Sequence, residues 1–198
     1  MMKTTKMRIK SVTAICLAIT LLVSWCPFAS AENYGYVSLK IGCTDVYNSI
    51  YDETYALDPN DPSIKPVLVD ERTMLPMRAV VSLFSFDGPE YLTIEWDATT
   101  NSALIFMSAH DDEEYIDPIA FFQIGSTTAA YFKGDTVKYA TIPVAPMLIN
   151  DRAYLPLRAV IDSFAFNGDG YTSIEWVDEE QGILIYFGDR PSRFKFPK

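Results

Sequence analysis

Two arginines and two glutamates are the polar residues of this sequence whose types and spacing best suit chemistry. Arg78 and Arg158 each follow an apolar-Pro-apolar segment, and Glu95 and Glu175 each precede a tryptophan. A guanidinium that faces a carboxylate forms a bidentate, charge-assisted pair. We therefore expect Arg78 to bind Glu95 and Arg158 to bind Glu175, so that each bridge ties the start of a helix to a strand. An arginine that is open to an anionic ligand is the alternative.

The same two glutamates raise the question of hydrolysis, because paired carboxylates serve as acid and base. Other catalytic sets are missing. Cys43 is far along the chain from His110, the one histidine, so we expect a packed thiol rather than a nucleophile. A single histidine also excludes a three-histidine metal centre. The sequence therefore predicts no enzyme activity, no cofactor and no metal site.

Two charged segments have alternative interpretations. Residues His110–Glu114 read His-Asp-Asp-Glu-Glu, without the D-x-D-x-D-G spacing of a calcium loop. They predict a solvated acidic linker, and a calcium site is the alternative. Residues 190–198 hold the one basic cluster and predict a frayed end. A cationic strap for an anionic cell-wall polymer is the alternative there.

The net charge excludes one class of partner. The chain has 16 basic and 26 acidic side chains, for a formal charge of −10. Residues 1–31 hold four of the basic residues and no acidic one, which leaves 12 basic against 26 acidic, or −14, for the remainder. Nucleic-acid binding requires clustered cations that displace phosphate counterions. We therefore expect no nucleic-acid partner.

The N-terminus has the pattern of an export signal. Lys3–Lys10 is basic, and Val12–Val23 is apolar but shorter than the roughly 20 residues that span a bilayer. Ala29-Ser30-Ala31 then supplies the small residues that a signal peptidase requires. We predict a signal peptide over residues 1–31, cleavage before Glu32, and a secreted or cell-envelope protein with no membrane contact after cleavage.

The rest of the chain contains an internal repeat. Pro66–Trp96 aligns with Pro146–Trp176 without a gap at an offset of 80 residues, with 15 identities in 31 positions. We predict a first repeat over residues 32–108, an acidic linker over 109–118, a second repeat over 119–189 and a basic tail over 190–198.

Each repeat has the same hydrophobic periodicity. Apolar residues at helical spacing predict one short amphipathic helix in each copy, formed by Met77, Val80, Val81 and Phe84 and by Leu157, Val160, Ile161 and Phe164. Alternating segments before and after each helix predict β-hairpins. We therefore expect an α+β fold of two tandem modules, each a small antiparallel β-sheet wrapped on one short α-helix.

The segments Arg72–Val80 and Arg152–Val160 resemble the copper amine oxidase N-terminal-like domain, or stalk domain, of secreted bacterial proteins. That family has a Asn-Gly-Arg-like turn, an apolar-Pro-apolar-Arg segment, a helix, and a strand that carries a tryptophan. Glu71 and Asp151 replace the turn glycine of that pattern. The motif positions are Arg72, Pro76, Arg78, Glu95, Trp96, Arg152, Pro156, Arg158, Glu175 and Trp176.

The resemblance implies a non-catalytic extracellular module that acts in binding or spacing. Its partner is expected to be an extracellular protein or a cell-wall polymer. The alternative is a carbohydrate-binding protein that stacks sugars on exposed aromatic side chains. The copper chemistry of the oxidases is not implied, because it requires three histidines and a modified tyrosine in an Asn-Tyr-acid context. This chain has one histidine, and Asn33-Tyr34-Gly35 lacks the acid.

Overall fold

The computed structural model describes residues 35–84, 92–108, 116–168 and 172–198. These residues belong to one compact unit. The predicted signal peptide, residues 1–31, and the acidic segment His110–Glu114 lie outside the described residues. Of the helices in the described ranges, none has the length and apolar character needed to cross a membrane.

Strands dominate the described residues. In chain order the elements are β1 (Gly35–Lys40), β2 (Asp45–Asn48), β3 (Glu53–Ala56), β4 (Val67–Val69), β5 (Arg72–Pro76), α1 (Met77–Phe84), β6 (Leu92–Asp97), β7 (Ser102–Ser108), β8 (Ile116–Gln123), β9 (Thr128–Lys133), β10 (Thr136–Thr141), β11 (Met147–Ile149), β12 (Arg152–Pro156), α2 (Leu157–Asn167), β13 (Thr172–Val177), a 3₁₀ turn (Asp178–Glu180) and β14 (Gly182–Phe187).

The strands form three antiparallel sheets, and the predicted α+β fold of two separate modules is wrong. Sheet A has the order β13-β14-β1-β2-β3, sheet B has β11-β12-β5-β4, and sheet C has β10-β9-β8-β7-β6. The fold is mainly β. Every sheet contains strands from both the first half of the chain, residues 35–108, and the second half, residues 116–198. No sheet is therefore wrapped on the helix of its own half alone.

The two halves exchange their first strands. β1 of the first half pairs with β14 of the second, with Val37 opposite Ile185. β8 of the second half pairs with β7 of the first, with Phe121 opposite Leu104. Hydrophobic alternation identifies the face that a strand buries, but it carries no information on which strand lies beside it. That is why the sequence pattern missed the exchange.

The helices begin and pack as their periodicity predicts. Leu157, Val160, Ile161 and Phe164 of α2 are all buried, which confirms that stripe. α2 packs against strands of all three sheets, and α1 packs against β5, β6 and β12. The rings of Phe84 and Phe164 meet edge to face with centroids 4.8 Å apart. Both helices therefore contribute to one hydrophobic core that is shared by the two halves.

The basic tail is docked, so the predicted frayed end is wrong. Phe194 and Phe196 pack on the cluster that contains Tyr36 and Tyr47, on sheet A. The backbone N–H of Lys195 donates to the Tyr36 hydroxyl at 2.8 Å, and the Lys195 carbonyl accepts from Ser38 Oγ at 2.6 Å. Phe194 and Phe196 thus bury apolar surface against sheet A, and this burial holds the basic tail in place.

Candidate functional site

Two clefts of different size lie beside the helix starts. The large cleft has a volume of about 930 Å³, and the small cleft has a volume of about 360 Å³. Both clefts are built from strand ends of sheet B together with residues of a helix and of a tryptophan-bearing strand. A cleft of several hundred cubic ångströms that combines apolar and polar side chains is the usual form of a small-ligand site.

The two clefts are built from corresponding residues. The large cleft is lined by Pro156, Arg158 and Trp176 of the second half and by Arg72 of the first half. The small cleft is lined by the residues 80 positions away in sequence, namely Pro76, Arg78, Trp96 and Arg152. Each cleft thus takes its proline, helix arginine and tryptophan from one half and its strand arginine from the other.

The motif residues are therefore brought together, but in two places rather than one. Glu175 also lines the large cleft, whereas Glu95 is exposed and lines neither cleft. The two glutamates lie on different sheets, Glu175 on sheet A and Glu95 on sheet C. The structure does not bring them together as the paired carboxylates of a hydrolase.

The predicted salt bridges are wrong, because Glu175 pairs with a different arginine. Arg190 of the tail donates from Nε to Glu175 Oε2 at 2.5 Å and from Nη2 to Oε1 at 2.7 Å. These hydrogen bonds lower the pKa of the Glu175 carboxyl below its usual value. Arg158 donates instead to the Ile174 carbonyl at 3.4 Å. Among the described ion pairs none joins Arg78 to Glu95.

The large cleft contains three cations that no described carboxylate pairs with at 4 Å or less: Arg72, Lys138 and Arg158. Within the described ranges Arg72 donates to the Glu71 carbonyl alone, at 3.2 Å. Lys138 Nζ lies 5.5 Å from the centroid of the Phe166 ring, within cation–π range. These cations keep most of their hydrogen-bonding capacity for a ligand.

Asp162 is the carboxylate that α2 contributes to the large cleft. Burial raises the pKa of its carboxyl, and the charges of Arg158 and Lys138 oppose that shift. Burial, together with the charge of Asp162, raises the pKa of Tyr131 to about 12. The charges of the cleft thus act on one another, although the side chains of Asp162, Arg158 and Lys138 are all exposed.

A loop of the first half supplies a carboxylate to the strand arginine that lines the small cleft. Asp61, in a loop that the first half alone possesses, forms an ion pair with Arg152. Ser63 donates to Asp61 Oδ1 from its backbone N–H at 3.0 Å and from Oγ at 2.6 Å. These two bonds are the main reason that the pKa of the Asp61 carboxyl lies below its usual value. Asp58 and Ile64 of the same segment line the cleft and reduce its volume.

The tryptophans of the two clefts also differ in how much of each side chain is exposed. Trp96 is partly buried against the main core, whereas Trp176 is 36% exposed. The indole N–H of Trp176 donates to Asp178 Oδ1 at 2.7 Å. That bond orients the ring beside the large cleft. Trp176 therefore offers an aromatic face that Trp96 uses for packing.

Sequence reasoning did not identify Asp61, Lys138, Phe166 or Arg190 as parts of these sites. The one usable signal was the loop around Asp61, whose two flanking prolines occur in the first half alone. Within the described ranges, no group of three or more metal-binding side chains is close enough to hold an ion. The arrangement of the large cleft thus suits ligand binding by cations and an aromatic ring.

One of three comparisons with known proteins gave a match. The family model of the copper amine oxidase N-terminal domain matches residues 57–185, a range that crosses both halves and both clefts. The comparison with curated proteins and the comparison with solved structures gave no match.

Proposed function

This chain belongs to the copper amine oxidase N-terminal domain family, whose members are non-catalytic domains of the stalk type, and from that premise we propose that it is an exported module that binds an extracellular ligand in its large cleft. In this proposal residues 1–31 direct export and are removed before Glu32, which leaves the protein outside the cytoplasm or in the cell envelope.

We also propose that each half of the chain is one copy of the family's repeat. In its support, β4, β5, α1, β6 and β7 have counterparts of the same kind and order in β11, β12, α2, β13 and β14. Further support comes from a pair of equivalent contacts, in which Gly42 donates its N–H to the Pro66 carbonyl and Gly125 donates to the Pro146 carbonyl.

The observation that carries the binding proposal is the difference between the two clefts. Arg152 of the small cleft is neutralised by Asp61, whereas Arg72 of the large cleft has no such partner among the described carboxylates. A module that only spaced other domains apart would gain nothing from three cations that lack an ion pair among the described residues and lie in the same cleft as an exposed tryptophan. Burying a ligand's anionic group against them would satisfy those cations.

Of the two kinds of partner that the sequence predicts, we favour a cell-wall polymer or other carbohydrate over a protein. Trp176 is 36% exposed, its indole N–H is held by Asp178, and it lines a cleft that also holds polar hydrogen-bond donors. Aromatic rings combine apolar surface with a defined geometry, and that combination suits the apolar face of a sugar ring.

A binding experiment on an array of cell-wall glycans and polysaccharides tests the proposal. We expect retention of the purified protein, and a loss of about tenfold or more in affinity for Trp176→Ala. Trp96→Ala is the matched control, because it changes the corresponding ring of the other half; it should lower stability while leaving affinity within about twofold. Equal retention of the parent and Trp176→Ala would exclude Trp176 from the binding site, and no retention of the parent would favour the spacing role.

Export is tested separately by N-terminal sequencing of the protein recovered outside the cytoplasm. We expect a first residue of Glu32. A retained Met1 would contradict the proposed cleavage.

A further inference from the structure

The small cleft shows how this fold holds a carboxylate. Asp61 meets the guanidinium of Arg152 and accepts two hydrogen bonds from Ser63. The Asp61 carboxylate belongs to a loop. It is not part of the strands and helices that correspond between the two clefts. Asp61 therefore acts as an internal ligand of Arg152, which lines the small cleft.

The large cleft has the same framework without the internal ligand. Arg72 stands where Arg152 stands in the other cleft, 80 residues earlier in the chain. Residues Ile142–Val144, which also line the large cleft, read Ile-Pro-Val and contain no acid. Arg72 has the strand position of Arg152, but its guanidinium forms no ion pair with a described carboxylate. Its planar set of N–H donors is therefore available to a carboxylate from outside the chain.

We infer that Arg72 binds the carboxylate of an acidic saccharide, in the position that Asp61 fills against Arg152. This inference rests on the proposed binding function and adds the chemical class of the ligand. Lys138 and Arg158 supply further positive charge around that position, and Trp176 supplies the surface for the sugar ring. The guanidinium of Arg72 accepts the carboxylate through two parallel hydrogen bonds.

The charge of the cleft agrees with an anionic ligand. Its lining includes the cations Arg72, Lys138 and Arg158 and the acids Glu71, Asp162 and Glu175. Glu175 is neutralised by Arg190, a residue of the tail that does not line the cleft. The cations therefore outnumber the uncompensated acids in this cleft, although the chain as a whole has a formal charge of −10. A locally positive cleft on an acidic protein selects an anion at that place.

Binding measurements by calorimetry with three probes test this inference. The probes are tetragalacturonate as the acidic saccharide, maltotetraose as the neutral one, and tetraglutamate as an acidic peptide. We expect tetragalacturonate to bind at least about tenfold more tightly than either of the others, and to weaken with rising salt. Arg72→Gln should lower its affinity about tenfold or more, as the loss of a charge-assisted pair does.

Arg152→Gln is the matched control, since Arg152 is the corresponding residue of the small cleft and already pairs with Asp61. It should change the affinity for tetragalacturonate by less than about twofold. An equal loss in both variants, or an affinity unaffected by Arg72→Gln, would overturn the assignment of Arg72.

The two proposals fail in different ways. If maltotetraose binds as tightly as tetragalacturonate and needs Trp176, the acidic ligand class is wrong and the binding function stands. If tetraglutamate binds in preference to both saccharides, the ligand is an acidic peptide and the inference is again wrong. If no glycan on the array and no probe binds, the proposed function itself is wrong.

Discussion

Leu75 and Leu155 lie directly opposite each other where β5 pairs with β12, and each is fully buried. They are 80 residues apart, which is the offset that relates the two halves of the sequence. On either side, Tyr154 faces Pro76 and Pro156 faces Met74. This register is the one that a local twofold axis through the two leucines produces. The axis also relates the large cleft to the small one.

The exchange of strands predicts that the two halves cannot fold separately. If one polypeptide ending at Ser108 and another beginning at Ile116 are co-expressed with a tag on one of them, we expect both to co-purify as a one-to-one complex. Each half alone lacks the partner of a central strand, since β7 needs β8 and β14 needs β1. A folded monomer of either half, seen by circular dichroism and sedimentation, would contradict the exchanged topology.

Two hairpin turns have side chains where glycine is favoured. Glu71 has φ of 61° and Asp151 has φ of 59°, both in the left-handed region. We expect Glu71→Gly to raise the free energy of unfolding by about 0.5–1 kcal/mol, because glycine adopts this conformation without the steric cost. Asp151→Gly should give a smaller gain, since aspartate tolerates the region better.

Chemical denaturation measures these gains, and Glu53→Gly is the control for Glu71→Gly. Glu53 is an exposed strand residue outside the set with positive φ, so glycine there should lower stability. If Glu71→Gly also lowers stability, the positive φ of Glu71 does not destabilise the folded protein.

The carboxyl of Asp162 makes stability depend on pH. Its pKa is raised in the folded protein, mainly by burial, so the folded state binds this proton more tightly than the unfolded state does. The resulting loss of stability begins as the pH rises through the unfolded value near 4 and is complete above the folded value. Asp162→Asn should therefore raise the melting temperature at pH 7, and this gain should shrink as the pH is lowered towards 4.

Asp189→Asn serves as the control for the loss of one negative charge, because Asp189 is exposed and does not line the large cleft. Melting curves for both variants between pH 4 and 7 provide the measurement. A gain that is equal for the two variants would trace the effect to net charge rather than to burial.

Gly182 makes room for the tail. A β-carbon at this position would lie 2.8 Å from the Leu39 carbonyl and in contact with the Phe196 ring. The corresponding residue of the first half is Ser102, which faces no tail. We expect Gly182→Ser to displace Phe196 and to lower the melting temperature by about 4 °C or more. Thermal unfolding followed by near-ultraviolet circular dichroism measures this loss.

Combining Gly182→Ser with Phe196→Ala tests the reason for the loss. If the serine acts by displacing Phe196, the double variant should be little less stable than Gly182→Ser alone. Additive losses would mean that the serine acts on the sheet and not on the tail.

The sequence by itself determined the local elements of this protein. The spacing of Leu157, Val160, Ile161 and Phe164 predicted a helix with one apolar face, and that face is buried. Alternation of apolar residues predicted the hairpin of β6 and β7, and those strands pair in register from Leu92 to Asp97. Such features depend on residues a few positions apart, so the hydrophobic periodicity of the sequence predicts them.

Only the tertiary structure decided which strands are neighbours and which charges meet. Residues 15 positions apart, Glu175 and Arg190, form the ion pair that the motif suggested for Arg158. Asp61 reaches Arg152 across 91 positions, and this contact is what makes the clefts unequal. An arginine has the same sequence signature whichever carboxylate it meets, because pairing depends on the path of the chain in space. The repeat therefore predicted two equivalent arginine–glutamate bridges, whereas in the structure a loop of the first half pairs with the strand arginine of one cleft.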